Sequence, residues 1–225
     1  MEDQYSGWRP PDSGKTIAST HVKGGGTTKT TAAMMMGHAY IRRGEDVTLV
    51  SWDRYHSAVS WADKAHEGVG LGGAAHRLWP DNFVVEGAED EDDLYGLIHG
   101  STASRKIVDG GPADPESLKL IARLADVVIL PTEPGYLTTE QIMPAFDLVG
   151  EIEQEQGRKI DTRVLLVRVD PNTALAKQAR DMLEAVGIPV MKAQIRQNTL
   201  VARAAHSVPV RLFGYEAVVE ELETT

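Results

Sequence analysis

The 225-residue chain contains no cysteine. That absence rules out disulfide staples and a thiolate-held iron–sulfur cluster, and it fits a protein of the reducing cytosol. Nor is there a run of eighteen apolar residues, so no stretch has the length of a membrane-spanning helix. Positive charge is scarce: 23 Lys and Arg stand against 33 Asp and Glu, a net −10 that by itself argues against a polyanionic partner. Residues 1–14 lack the apolar centre of a signal peptide and carry Pro10 and Pro11. They are expected to form a mobile polar arm ahead of one domain over residues 15–225.

What is present begins with Val22–Thr31, VKGGGTTKTT, set between a β-like run, Lys15–His21, and a helical pattern, Thr30–Arg43. Three successive glycines allow a tight turn with N–H groups aimed inward, and the following helix N-terminus adds donors and the positive end of its dipole. In such a phosphate loop the backbone of Gly24, Gly25, Gly26, Thr27 and Thr28 cradles the anion. Lys29 reaches the β- and γ-phosphates, the Thr30 hydroxyl ligates Mg2+, and Thr31 donates to a neighbouring phosphate. A plain Gly/Thr turn between strand and helix accounts for the same composition. The spacing also departs from G-x-x-x-x-G-K-[ST]: Lys23 occupies the first glycine position and Thr28 precedes Lys29.

Along the chain β-like and helical patterns alternate, which predicts an α/β fold, a mostly parallel sheet with helices on both faces. Strands are expected at Lys15–His21, Asp46–Trp52, Asn82–Glu86, Arg105–Gly111, Ala125–Leu130, Thr162–Val169 and Pro189–Gln194. Helices are expected at Thr30–Arg43, Ser57–His66, Asp90–Ile98, Glu116–Leu124, Thr138–Gln156 and Tyr215–Leu222. Met34, Met35 and Met36 read as core packing, and the acidic run Glu89–Asp93 as helix-dipole chemistry. Asp53, at the carboxyl end of the second strand, falls near the loop, where open α/β sheets bind ligands; a helix N-cap ahead of Ser57 is the competing reading. Asp109, followed by Gly110 and Gly111, reads equally as a turn aspartate. Residues 158–211 hold ten Lys and Arg against four acids, a local +6.

The loop resembles that of the ParA/MinD superfamily of deviant Walker A P-loop ATPases, K-G-G-x-x-K-[ST], with the small ParA (Soj-like) partition ATPases nearest. Gly25–Thr30 fall on that pattern without a gap, while its first lysine position holds Gly24, with Lys23 one residue earlier. Either the loop has gained a glycine and Lys23 keeps its role, or the role is lost. Four further segments resemble the family in its order. SWDRYHSAVSWA matches D-x-D-P-Q-G-S-x-x-S-W at Asp53, Ser57, Ser60 and Trp61. Asp109 and Pro112 keep the outline of D-x-P-P. ADVVILPTEP and RVDPNT follow, the latter with Val167 where the family has an adenine-reading asparagine. Ile195–Ala205 parallels the family's I-P-R-x-x-x-L-x-E-A without its proline and glutamate.

The resemblance implies a P-loop ATPase using ATP and Mg2+. Lys29 and Lys23 would neutralise charge in catalysis, Lys23 across a homodimer formed with ATP, and Asp53 would orient the attacking water. Asp109 would hold Mg2+ through a water, and Arg168 would lie at the nucleotide. It also implies non-specific DNA binding, for which Arg158, Arg180, Arg196 and Arg203 are the exposed candidates, together with a ParB-type centromere-binding partner and a cytoplasmic, nucleoid-associated protein. The acidic C-terminal segment has the wrong sign for MinD's membrane helix. A nucleotide-binding dimeric scaffold with little hydrolysis is the alternative, and a small-molecule kinase or amidoligase on the same fold a third reading.

Overall fold

Period-two alternation and short turns turn the apolar runs into seven strands. They are β1 (Lys15–Ser19), β2 (Val47–Ser51), β3 (Phe83–Gly87), β4 (Arg105–Asp109), β5 (Val127–Thr132), β6 (Asp161–Val169) and β7 (Val190–Arg196). The 3.6-period runs become α1 (Lys29–Arg42), α2 (Ser57–His66), α3 (Glu91–Gly100), α4 (Pro115–Leu124), α5 (Thr138–Gln156), α6 (Leu175–Ala185), α7 (Thr199–Ala204) and α8 (Tyr215–Glu223). The computed structural model describes residues 14–21, 28–68, 77–111, 114–135 and 138–224. The arm expected over residues 1–14 therefore lies, Gly14 apart, outside the described residues, as do Lys23–Thr27 of the loop.

Every strand pair is parallel, in the order β3-β2-β4-β1-β5-β6-β7. Such a sheet is buried on both faces, and alternate residues divide between two cores. Ile17, Leu49, Ile107 and Ile129 face α1, α2, α7 and α8, whereas Ala18, Val50, Val108 and Leu130 face α3, α4, α5 and α6. This division follows from right-handed crossovers, because connections running toward β3 lie on one face and those running toward β7 on the other. Met34, Met35 and Met36 are fully buried, as expected. The acidic run caps α3: Asp90 accepts from Asp93 N at 2.8 Å, with Glu91, Asp92 and Asp93 in the first turn.

Boundaries differ where capping or proline chemistry intervenes. The strand expected at Ala125–Leu130 runs from Val127 to Thr132, because Ala125 closes α4 through its bond to Ile121 O. Pro131 is tolerated in β5 because the β1 ladder ends opposite Ile129, so its missing N–H has no partner to lose. The segment Ile195–Ala205 divides into the end of β7 and the short α7, where the Asn198 side chain accepts from Leu200 N at 2.9 Å. No helix among the described residues is long and apolar enough to cross a membrane.

Candidate nucleotide site

The sheet reverses its winding at β1, and the described loop residues resume at its carboxyl end, the place where open α/β sheets hold ligands. Thr28 is the N-cap of α1 in the left-handed region, φ 60 and ψ 18, an uncommon state for a β-branched residue. Ser19 Oγ donates to Lys29 O at 2.9 Å and ties the loop's exit to the end of β1. The first turn of α1 contains Lys29, Thr30 and Thr31 and no acid, so the positive end of its dipole is left for an anion.

Asp109 ends β4 in register with Ser19 on one side and Ser51 on the other. It is fully buried, and neither carboxylate oxygen has a hydrogen-bond partner among the described residues. Burial pushes its pKa up to about 7; the Thr30 hydroxyl and Lys29 pull it down, and the Asp53 carboxylate pushes it further up. The Thr30 hydroxyl stands close enough for that influence without a hydrogen bond of good geometry. A buried carboxylate without partners is the donor set a hydrated hard cation completes, so these residues fit Mg2+ held by Thr30, with Asp109 reached through water. Among the described residues no cluster of three His, Asp or Glu forms a metal cage.

Asp53 does not cap α2; His56 does, at φ 45. The Asp53 carboxylate instead accepts from Ser57 Oγ at 2.5 Å, while its carbonyl accepts from His56 N at 2.7 Å. The chain leaving β4 fits only as glycine: a Cβ on Gly110 would sit 2.5 Å from Thr20 Oγ1, and one on Gly111 2.0 Å from Trp52 O. The Asp-Gly-Gly run is thus needed where three strand exits converge around Asp109.

The other end of the site is built by irregularity in β6 and β7. Val164 pairs with Val190, Leu166 with Gln194 and Val169 with Arg196, so each strand carries extra residues at a bulge. The β7 bulge leaves Lys192 N and Ala193 N free to donate to Glu221 of α8, at 2.9 and 2.8 Å. The β6 bulge holds Arg168 at φ 51, and its guanidinium reaches Glu133 Oε1 at 2.6 Å. Strain of this kind concentrates at functional sites. Beside it a cavity of about 340 Å³ runs from Thr28 and Thr31 past Val167, Arg168 and Ile195 to Gln197 and Tyr215.

No family profile matches the chain, and no curated protein does. Solved structures do match. An McdA variant of Cyanothece in complex with ATP superposes with a TM-score of 0.71 at 15% identity, over 94% of this chain and 97% of its own. A plasmid partition protein of Borrelia burgdorferi gives 0.68 at 14% identity, over 94% and 98%. Cobyrinic acid a,c-diamide synthase of Mycobacterium smegmatis, with bound ATP analogue and magnesium, gives 0.69 at 16% identity, over 94% and 96%. The chain shares the fold of these proteins, a seven-stranded parallel sheet of the P-loop NTPase type.

On this fold, two of the four arginines expected at the surface have structural duties. Arg158 donates to Ala125 O and Arg123 O, both at 2.8 Å, and so ties down the end of α4. Arg180 donates to Met191 O at 2.7 Å and pairs with Glu184 at 3.6 Å, bracing α6 against β7. The guanidinium fork suits free carbonyls at element ends, which is why both side chains turn inward. Arg196 and Arg203 are exposed. Sequence patterns did not single out Glu133 or Tyr215 for the site; Glu133 directly follows β5 and meets Arg168 of the β6 bulge, and Tyr215 comes with the return of α8.

Proposed function

We propose that the chain is a ParA-like, Mg-dependent ATP hydrolase whose nucleotide state controls dimerisation on DNA. The observation that carries this reading is the buried, unpartnered Asp109 carboxylate grouped with Lys29, Thr30 and Asp53 at the exits of β1, β2 and β4. Hydrolysis needs the γ-phosphate held, its growing charge neutralised and a water in line. Lys29 and the α1 N-terminus bind the phosphates. Thr30 would hold Mg2+, with Asp109 reaching it through a water, and the ion would supply charge neutralisation for the phosphates. Asp53, fixed by Ser57, directs the water's proton away as its oxygen bonds to the γ-phosphorus and the bond to ADP breaks. Lys23 of a second copy completes the neutralisation, which makes turnover depend on dimer formation. Arg196 and Arg203 supply the DNA-facing charge, and a ParB-type protein is the partner that stimulates turnover.

The test is ATP affinity, turnover and size-exclusion in ATP and Mg2+ for the wild type and three variants. Lys29→Ala loses binding. Asp53→Ala keeps binding, loses turnover by about a hundredfold or more and accumulates dimer, while Lys23→Ala loses dimer and turnover together. The scaffold reading is favoured by one feature, the Asp53 carboxylate already engaged by Ser57 at 2.5 Å. Nucleotide-dependent dimers with no turnover in the wild type would select it, and turnover appearing only with an added amine and acid acceptor would select an amidoligase.

A further inference from the structure

One flank of the edge strand β3 is left open. Phe83 and Val85 pack toward the core beneath α1 and α2, so Val84 and Glu86 alternate to the other face, where Val84 is 46% exposed. A groove of about 500 Å³ follows this flank, with Val84 and Glu86 on one side and Gly96, Leu97 and Gly100 of α3 on the other. It ends at Asp46 and Ala103, ahead of β2 and β4. A Cβ on Gly96 or Gly100 would meet nothing within 4 Å, so these two residues, four apart on one helix face, leave a smooth floor. Asp46 and Glu86 are exposed at its rim, and neither is in an ion pair among the described residues.

The chain enters the sheet beside this groove. A Cβ on Gly14 would lie 2.3 Å from Ala103 O and 2.4 Å from Ser104 O, and Ala103 is part of the groove wall. Thirteen residues, MEDQYSGWRPPDS, precede Gly14. We propose that this arm lies in the groove, with the Trp8 indole on the Gly96–Gly100 floor against Val84 and Leu97, and the Arg9 guanidinium at the Asp46 and Glu86 carboxylates. The reach is sufficient: β1 and β3 are three strand spacings apart, about 14 Å, and the six residues from Trp8 to Gly14 span up to roughly 20 Å. Neighbouring side chains of an extended chain point to opposite sides, so Trp8 turns to the floor while Arg9 turns to the rim. Tryptophan brings a large apolar area that a glycine floor can seat flat, and the arm's single cation meets two unpaired carboxylates. Pro10 and Pro11 fix φ and carry no N–H to satisfy, which lowers the cost of ordering an extended segment. The arm's acids, Glu2, Asp3 and Asp12, fall outside Trp8–Pro11, the part that crosses the groove. Docked there, the arm covers an apolar sheet flank that otherwise invites association with other chains. This inference is independent of the nucleotide reading.

The experiment is acrylamide quenching of Trp8 in the full chain, taken as the difference in emission between the wild type and Trp8→Phe. Trp8 should be quenched about fivefold less than a free tryptophan amide, as for an arm docked most of the time. Gly96→Arg fills the floor from an exposed position without touching the core, and Arg9→Glu sets like charges together; each should bring quenching close to the free value. Because the chain has no cysteine, cross-linking gives a second reading. Gly7→Cys is paired with Gly96→Cys, or with Thr224→Cys as the control. Thr224 is exposed and near the root of the same arm, since Lys15 Nζ donates to Leu222 O at 2.9 Å. Under mild oxidant the Gly96 pair should close about tenfold faster than the Thr224 pair, a docked arm having the higher effective concentration at the groove. Trp8 quenched in the wild type like the free amide, shielding unmoved by both variants, or equal closure of the two pairs overturns the proposal. Covalent dimers in place of the intramolecular link also overturn it, and assign the groove to the arm of a second copy.

Discussion

An unpartnered carboxylate enclosed at the end of a central strand links folding to pH. Asp109 titrates near 7 when folded, against 3.8 for an ordinary aspartate, so between those values the folded chain holds a proton that the unfolded chain has released. Stability from this residue is full below about pH 4 and drains away as the pH climbs to 7. Asp109→Asn should flatten that part of the pH profile and raise stability at pH 8 by on the order of 4 kcal/mol in the metal-free protein, while weakening Mg-dependent nucleotide binding. Urea midpoints at pH 5 and pH 8 for both proteins decide it; parallel declines would show that Asp109 is not the source. At this scale the grouping of Lys29, Thr30, Asp53 and Asp109 at strand ends was legible in sequence, since each lies at or shortly after the end of a strand within a contiguous motif. Tyr215 and Glu133 were not legible, because nothing local marks a residue that meets distant chain at a cavity. Arg158 and Arg180 could not be told from surface arginines, because the carbonyls they hold leave no trace in sequence.

Among the elements, α1 meets the edge strand β3 at one tight seam. A Cβ on Gly37 would lie 2.3 Å from the Phe83 ring, and His38 stands edge-on to Phe83 and Trp79 with centroids 5.0 and 5.2 Å away. Burial first, and then Arg42, lower the His38 pKa from 6.5 to about 3. The folded chain therefore keeps His38 neutral while the unfolded chain takes up a proton, and stability falls as the pH drops from 6.5 toward 3. His38→Leu should remove this loss and move the acid-unfolding midpoint to lower pH, as followed by circular dichroism; an unmoved midpoint would assign acid lability elsewhere. At the opposite edge, Glu221 occupies two N–H groups freed by the β7 bulge. Glu221→Ala should cost about 1–2 kcal/mol, seen as a fall of a few degrees in melting temperature, and leave an open strand edge that promotes association. The order and type of these elements followed from periodicity. Their ends did not, since Ala125 and Asn198 set boundaries through local capping bonds that periodicity does not register, and Pro131 extends β5 where the β1 ladder has already ended.

For the molecule as a whole, the net charge of −10 opposes a nucleic acid, so any DNA binding must be local and ionic. With Arg158 and Arg180 committed inward, Arg196 and Arg203 remain to carry it. Anisotropy of a random DNA duplex with ATP present should show affinity falling steeply with NaCl. In Arg196→Ala and Arg203→Ala the log–log slope should be shallower by about 1 for each arginine–phosphate pairing removed. An unaltered slope in the double variant would remove these residues from the interface. The sheet order has a further effect, on the time before a functional chain exists. β1, whose end is tied to α1 through Ser19, pairs with β4 and β5, Ile17 lying beside Ile107 and Val127. At a synthesis rate of about 5–20 residues per second, the first strand emerges roughly 5–20 s ahead of its partners. During that interval the methionine face of α1 has no sheet to cover it, and no nucleotide can stabilise a site whose Asp109 has yet to be made. A ligand that needs the ends of β1, β2 and β4 together could protect only the finished sheet.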